Sequence, residues 1–154
     1  MIRIGVVSDS HGAMELFEKA VNEMSDVSAI VHLGDCASDA LEIARRTGRE
    51  ILTVNGNCDL FSHNPVFRTL DVEGKRIFIT HGHREHVKTG LMRLFYRAEE
   101  ENASLVLYGH THIQRMDEID NIMLLNPGAM KDGKYAVVQM DEGGIAHEFH
   151  KIGL

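Results

Sequence analysis

The clearest indication of the fold is the N-terminal sequence Ile2-Arg3-Ile4-Gly5-Val6-Val7-Ser8-Asp9-Ser10-His11. Its first part is an apolar run typical of a buried strand, and a polar cluster follows at once. Downstream, apolar residues at helical spacing predict a helix over residues 14–24, and residues 29–31 read as a second strand. A second helix is expected over residues 38–47, begun by Ser38 and ended by Gly48, before a third buried strand over residues 51–54. This β-α-β-α-β order predicts a parallel sheet with helices on its face.

The second half of the chain has a different pattern, in which strands follow one another more often. Two strands over residues 66–72 and 75–80 flank Glu73-Gly74, which is a hairpin signal. We expect a helix over residues 87–101, a short buried strand at residues 105–107, and then a run of antiparallel strands over residues 113–119, 122–125, 135–140 and 145–149. The pattern predicts an α/β sandwich of two facing sheets with helices outside. No linker or repeat divides the sequence, so residues 1–154 are expected to form one domain.

The bulk properties exclude several classes of protein. The formal net charge of -7 argues against general nucleic-acid binding. The first apolar run is too short to span a membrane and reads as a strand, not a signal peptide, so we expect a cytoplasmic protein without a membrane association. The two cysteines, Cys36 and Cys58, do not make a secreted disulfide framework.

Five short polar clusters follow predicted strands, where ligands bind in open α/β sheets. Two of their aspartates, their one asparagine and four or five histidines make a ligand set for two divalent metals that share one carboxylate. Such a centre suits the hydrolysis of a phosphate ester. The clusters are Asp9-Ser10-His11, Gly34-Asp35, Gly56-Asn57-Cys58-Asp59, His81-Gly82-His83 and Gly109-His110-Thr111-His112.

Each cluster alone has a structural explanation. Asp9 could cap the first helix, and Gly56-Asn57 could simply form a turn. Asp59 could orient a ligand or cap a turn, and His83 could bind the substrate phosphate or fill the rim of the site. His32, inside a strand, is interpreted as structural, or at most as orienting a ligand. The pair His110 and His112 is the most specific signal, because two imidazoles two residues apart after a buried strand are hard to explain as packing.

In this order the clusters resemble the calcineurin-like metallophosphoesterase superfamily, and in particular its small single-domain bacterial and archaeal phosphodiesterases. The similarity spans residues 9–112, and Asn126-Pro127-Gly128-Ala129 resembles a further loop of that group. The resemblance implies a four-layer α-β-β-α sandwich of two mixed sheets flanked by helices. It also implies two ligand sets that share Asp35, namely Asp9, His11, Asp35 and His112 for one metal and Asp35, Asn57, His81 and His110 for the other.

The implied activity is the hydrolysis of small phosphodiesters by direct attack of a hydroxide that bridges two metals, with His83 as an added donor to the phosphate. Oxygen and nitrogen ligands suit Mn²⁺, the first expectation, as well as Ni²⁺, Zn²⁺, Fe and Co²⁺. Many larger members have a histidine where this chain has Cys58, so the proton donor to the leaving group is left open.

Two further expectations concern partners. A eukaryotic relative, a retromer subunit, uses this fold mainly to bind proteins, so the alternative function is a non-catalytic protein-binding scaffold. Exposed edge strands near the C-terminus could pair between subunits, which makes a homo-oligomer an expectation as well.

Overall fold

The computed structural model describes residues 1–153 and arranges them in four layers, as the sequence predicts. Five strands form each of two mixed sheets, whose orders are β10-β9-β1-β2-β3 and β4-β5-β6-β8-β7. The elements are β1 (Ile2–Val7), α1 (Met14–Glu23), β2 (Ala29–His32), α2 (Ala37–Thr47), β3 (Ile51–Thr53), β4 (Phe67–Val72), β5 (Lys75–Thr80), α3 (Met92–Glu100), β6 (Leu105–Leu107), β7 (Gln114–Ile119), β8 (Ile122–Pro127), a 3-10 turn (Met130–Asp132), β9 (Lys134–Asp141) and β10 (Gly144–Lys151).

Strand alternation explains the layering. In β1, the side chains of Ile4 and Val6 point into the core between the two sheets, whereas Val7 packs under helices α1 and α2. Gly5 faces helix α1 as well, and a Cβ there would collide with the sulfur of Met24. Helix α3 covers the outer face of the second sheet through Leu94, Phe95 and Ala98. The inner faces of the two sheets therefore pack against each other, and helices cover part of their outer faces.

The parallel strands bring the polar clusters together. Strands β1, β2 and β3 run parallel in the first sheet, and β5 and β6 run parallel in the second. Because parallel strands end at the same edge, the loops after these five strands meet at one end of the sandwich. The predicted placement of the clusters at the carboxyl ends of strands is confirmed.

The expected helix over residues 87–101 is wrong at its start. Helix α3 begins only at Met92, and residues 81–90 form a series of tight turns. His86 and Gly90 adopt positive φ there, at 54° and 152°, which a helix does not tolerate. Val87 and Leu91 are nevertheless buried beside α3, so their apolar spacing imitated one more helical turn.

The expected run of antiparallel strands is correct for pairs but not as a run. Strands β7 and β8 pair antiparallel, as do β9 and β10, but the two pairs lie in different sheets. Strand β8 also pairs parallel with β6, and β9 pairs antiparallel with β1. The chain crosses between the sheets at the 3-10 turn, where Met130 donates its backbone N–H to Ser8 at 2.7 Å.

Candidate metal centre

The two sheets are joined at the site by backbone and side-chain hydrogen bonds. The N–H of Asp9 donates to the carbonyl of Gly34 at 3.0 Å, which ties the loops after β1 and β2. The N–H of Gly109 donates to the carbonyl of His81 at 2.9 Å, which ties the loops after β5 and β6. Between the sheets, the N–H of His110 donates to Asp9 Oδ2 at 3.1 Å. These bonds fix the positions from which the polar side chains extend.

The carboxylate of Asp9 is fully buried and its two oxygens have different surroundings. Oδ2 accepts hydrogen bonds from the Ser8 hydroxyl and from the N–H of His110. Oδ1 faces three imidazoles instead, with Nε2 of His112 at 3.2 Å, Nε2 of His81 at 3.7 Å and Nε2 of His11 at 3.8 Å. One oxygen is thus held by the protein, and the other is directed at a cluster of nitrogen donors.

Asp35 repeats this division. Its Oδ1 accepts from the N–H of Cys58 at 3.0 Å, and its Oδ2 lies 3.5 Å from His81 Nε2 and 3.7 Å from His11 Nε2. Burial opposes ionisation, but the nearby His81 ring and the hydrogen bond from Cys58 outweigh it and hold the pKa of the Asp35 carboxyl well below its usual range. Asp35 is therefore a carboxylate at neutral pH with one oxygen directed into the site.

His81 has the geometry of a metal ligand. Its Nδ1 lies 2.8 Å from the carbonyl of Leu33, which can only accept, so Nδ1 carries the proton and Nε2 of the neutral ring keeps a free lone pair. Nε2 is buried and has no hydrogen-bond partner among residues 1–153. A carbonyl that fixes the tautomer of a ligating histidine is a usual feature of metal sites. Burial alone would lower the pKa of His81, but Asp35 and Asp9 outweigh it and raise that pKa.

Two groups of donors could each hold an ion. The outer group is Asp9, His11 and His112, and the inner group is Asp35, His81 and His110. Within each group one ligand atom per residue lies within 4.8 Å of the others. The inner group is more enclosed, because the side chain of His81 is fully buried whereas those of His11 and His112 keep 30% of their exposure. Imidazole nitrogens and carboxylate oxygens together fit first-row divalent metals.

The other two predicted site residues lie beside these groups. The ring of His83 lies 5.3 Å from that of His81 and 6.1 Å from that of His110. Burial, and then the charge of His81, lowers the pKa of His83 and takes that of His110 to about 4, so both are neutral donors near pH 7. Asn57 is exposed, and its amide nitrogen contacts the sulfur of Cys58 at 3.7 Å. The loop that carries Asn57 reaches the site, because the N–H of the neighbouring Cys58 donates to Asp35 Oδ1.

Asp59 organises the site more than its sequence signal indicated. Its Oδ2 accepts from the N–H groups of Asp35 at 2.9 Å and Gly56 at 2.8 Å, and its Oδ1 accepts from Ala37 at 2.8 Å. Asp59 therefore both aligns the Asp35 loop and caps helix α2, which begins at Ala37 and not at the expected Ser38. The spacing Gly-Asn-x-Asp was the available signal, but two of the three partners, Asp35 and Ala37, lie after a different strand.

The site loops adopt a backbone conformation that non-glycine residues rarely use. Positive φ angles between 44° and 73° occur at Asp9, His11, Asp35, His110 and His112. Such left-handed residues cost free energy, and they concentrate at functional sites where the surroundings enforce them. Close packing adds to this constraint, because a Cβ at Gly56 would collide with the Asp35 carboxylate and one at Gly109 with the Ser8 hydroxyl.

Comparison with known proteins identifies the family. The model of the calcineurin-like phosphoesterase superfamily domain matches residues 2–143. The chain belongs to the calcineurin-like phosphoesterase superfamily. This confirms the resemblance seen in the sequence, and membership in this superfamily of hydrolases supports a phosphoesterase with bound metal.

Individual relatives agree with this membership. A phosphodiesterase of Methanocaldococcus jannaschii is 28% identical over 149 residues, which cover 82% of this chain and 83% of that protein. A crystal structure from Streptococcus pneumoniae, described as a conserved uncharacterized protein and predicted phosphoesterase, superimposes with a TM-score of 0.82 at 28% identity and covers 97% of this chain and 89% of that one. These relatives support phosphoester hydrolysis as the activity of the superfamily fold seen here.

The same fold also occurs in Vps29. The structure of wild-type Vps29 from Entamoeba histolytica in complex with zinc has a TM-score of 0.79, with 17% identity over 97% of this chain and 99% of that one. At this identity the similarity to Vps29 shows the fold alone.

Within residues 1–153 of the present chain, no helix has the length and apolar character needed to cross a membrane.

Proposed function

We propose that the protein is a phosphoesterase that depends on two divalent metals and hydrolyses small phosphodiesters. The observation that carries this proposal is the unpartnered, buried Nε2 of His81, which faces Asp9 Oδ1 at 3.7 Å and Asp35 Oδ2 at 3.5 Å. A buried donor or acceptor without a partner costs free energy, and a bound cation removes that cost. The completeness of both donor groups supports the same conclusion.

We assign the ligands as the superfamily resemblance implies. Asp9, His11, Asp35 and His112 would hold one ion, and Asp35, Asn57, His81 and His110 the other. The nearness of Asp35 Oδ2 to Nε2 of both His11 and His81 supports a bridging role for this carboxylate. Asn57 would offer the oxygen of its exposed side-chain amide to the inner ion. Two ions bound there would supply an activated water and neutralise charge that develops on the phosphoryl group.

The residues of the chain would do the remaining work. His83 has a buried Nδ1 without a hydrogen-bond partner in the described part of the chain, and we assign it to the phosphate as a donor. Asp59 would keep Asp35 aligned through the shared backbone N–H groups. Because both sheets contribute ligands, we propose that residues 1–154 act as a single metallophosphoesterase domain.

Metal identity and location complete the proposal. Mn²⁺ is the first ion to test, followed by Ni²⁺, Zn²⁺, Fe²⁺ and Co²⁺, since the mixed donors suit all of them. We place the protein in the cytoplasm, where free thiols such as Cys36 and Cys58 stay reduced. Strand β10 is an edge strand of the first sheet and is the element we assign to self-association in a homo-oligomer.

A single assay tests the activity. The protein is stripped of metal with a chelator, and Mn²⁺, Ni²⁺ or Zn²⁺ is added back singly before incubation with bis(4-nitrophenyl) phosphate or 4-nitrophenyl phosphate. Bound metal is counted by elemental analysis of the same samples. We expect two ions per chain and faster turnover of the diester.

The competing function is a non-catalytic protein-binding scaffold, which the shared fold with Vps29 favours. A protein that binds two ions but turns over neither ester with any of the metals would support the scaffold and overturn the enzyme.

A further inference from the structure

A cavity of about 520 Å³ lies beside the candidate metal centre, along the open edge of the first sheet. Its floor is edge strand β3 with helix α2, and its outer wall is the loop of residues 55–65. We propose that this cavity is a substrate subsite that holds an apolar or aromatic ester group of the phosphoester. The inference deepens the proposed function and rests on it for the phosphate position.

The lining of the cavity contacts the inner group of donors through two residues. Cys58 lines the cavity, and its N–H donates to Asp35 Oδ1 at 3.0 Å. Asp59 lines it as well and accepts from the N–H of Asp35 at 2.9 Å. A phosphate that contacts Asp35-bound metal would therefore place one of its ester groups within reach of the cavity.

The walls of the cavity expose an unusual amount of apolar surface. The side chains of Leu41, Leu60 and Phe61 are 76%, 80% and 95% exposed. Exposed apolar patches of this kind cost free energy in water and mark sites of interaction. Burying such surface against an organic group recovers about 25 cal/mol per Å².

The loop that carries Leu60 and Phe61 is held in place, so their exposure is not a result of fraying. Its ends are joined by the N–H of Asn55, which donates to the carbonyl of Pro65 at 2.8 Å. Across the loop, the Asn55 side-chain amide donates to the carbonyl of Ser62 at 2.9 Å. The loop therefore presents two apolar side chains at the mouth of the cavity.

Size and charge favour a small molecule over a protein. The volume lies within the roughly 300–1,000 Å³ usual for small-ligand sites, whereas a stable protein interface buries about 800 Å² per partner. Arg68 lines the inner end of the cavity and donates through Nε to the carbonyl of Thr53 at 2.9 Å. It makes no salt bridge within residues 1–153, so its guanidinium can meet a polar atom at the far end of the ester group.

A second cavity provides a matched control. It lies on the second sheet, between strand β4 and helix α3, and is lined by Phe67, Tyr96 and Arg97. Arg97 already covers the rings of Phe67 and Phe78 at 5.2 Å and 5.1 Å, and it pairs with Glu100 at 3.1 Å. Tyr96 is 54% exposed, so its replacement tests an exposed aromatic side chain outside the proposed subsite.

The test compares two probes that differ only in the organic group, phenyl phosphate and methyl phosphate. Amide chemical shifts of the ¹⁵N-labelled, zinc-loaded protein are followed during titration with each probe. We expect phenyl phosphate to shift residues 41 and 60–62, and methyl phosphate to leave them unchanged. Each probe is also measured as a competitive inhibitor of bis(4-nitrophenyl) phosphate hydrolysis by the wild type, Phe61→Ala and Tyr96→Ala.

We expect Phe61→Ala to weaken inhibition by phenyl phosphate between about two- and tenfold, as for the loss of one aromatic contact. Inhibition by methyl phosphate should not change, and Tyr96→Ala should change neither. Equal effects on both probes, or shifts centred on Tyr96, would overturn the subsite. The wild type could instead be a dimer that dissociates in Phe61→Ala, with the ratio of the two inhibition constants unaltered. That result would assign the apolar patch to contact with a second copy of the chain and would also overturn the subsite. If no ester is hydrolysed, the proposed enzymatic activity is wrong, and the chemical shifts alone show whether phenyl phosphate occupies the subsite. The two proposals can therefore fail separately.

Discussion

Two fully buried histidines lie at strand ends beside the candidate metal centre, and they differ in how their ring nitrogens are used. His32 ends strand β2 in the first sheet. Its Nδ1 accepts from the N–H of Gly34 at 3.1 Å, so Nε2 carries the proton and donates to Ser10 Oγ at 2.9 Å. The ring also stacks on Phe17 at 5.6 Å. Both nitrogens of His32 are therefore occupied by the protein.

His81 follows strand β5 in the second sheet and has only one occupied nitrogen. Its Nδ1 donates to Leu33, and its Nε2 faces Asp9 Oδ1 and Asp35 Oδ2 without a hydrogen bond to either. The contrast indicates that burial does not distinguish a structural histidine from a metal ligand. The distinguishing feature is whether the second nitrogen has a protein partner.

The most severe test of this contrast replaces the Asp35 carboxylate, which His81 faces. In Asp35→Asn, one oxygen is lost from the position shared by the two groups, and its negative charge is lost with it. We expect both ions to be lost and activity to fall at least about a thousandfold, since losing a single electrostatic contact to a reacting group already costs about 10²–10³. Elemental analysis and diester turnover measure the two effects.

Asp71→Asn is the control for this change, since Asp71 is an exposed carboxylate paired with Arg76 at 2.8 Å, far from the site in sequence. A fully active Asp35→Asn protein would remove the bridging assignment.

The second test removes the free nitrogen of His81 and leaves its bond to Leu33. In His81→Asn, the side-chain amide can still donate to that carbonyl, but the atom at the Nε2 position is gone. We expect the affinity of the inner group for metal to fall by more than about 100-fold, the upper range for loss of a partner that merely supports a ligand. Calorimetric titration of the metal-free protein measures this change.

His32→Gln is the matched control for His81→Asn, because a glutamine nitrogen can still donate to Ser10. Both metal affinities should stay within a few-fold of the wild type there. If His32→Gln lost metal as completely as His81→Asn, the contrast between the two histidines would be wrong.

The third test uses pH, because only the neutral form of His32 fits its partners. Burial lowers the pKa of His32 to about 4. In the unfolded chain this group titrates near 6.5 and binds its proton first, so the free energy of unfolding falls as pH drops from about 6.5 to about 4. We expect His32 to contribute about 3 kcal/mol to this fall.

Urea unfolding of the metal-free protein at pH 7 and pH 4 measures this contribution. His32→Gln lacks the titrating group, so its loss of stability between the two pH values should be smaller by about that amount. Parallel losses in the two proteins would show that His32 is not the group responsible.

Much of this arrangement could be predicted from the sequence, because apolar runs fix the strands and parallel strands bring the clusters after them to one edge. The pair His110 and His112 was recognisable for this reason. The local sequence pattern does not, however, show which groups a side chain will hydrogen-bond to in the fold. His32 and His81 both stand at the end of an apolar strand, and only the positions of Gly34, Ser10 and Leu33 separate them.

The loops were harder to predict for a related reason. Apolar spacing extended helix α3 backwards over residues 87–91, because Val87 and Leu91 are buried although the backbone turns there. The positive φ angles of Asp9 and His110 are enforced by contacts between distant loops, which no short window of sequence contains.

The smallest expected effect concerns Cys58, the residue at which this chain departs from the larger members of its superfamily. Its backbone N–H supports Asp35, whereas its thiol is exposed and accepts a long hydrogen bond from the Asn57 amide. Burial, and then the charge of Asp35, raises the pKa of this thiol, which makes it a poor thiolate ligand near pH 7. Cys58→Ser keeps the backbone bond and should change turnover of an activated aryl diester no more than about threefold, as for substitutions that cost up to about 0.5 kcal/mol. Loss of turnover together with one ion would make the sulfur a ligand, and loss of turnover with both ions bound would make it the proton donor.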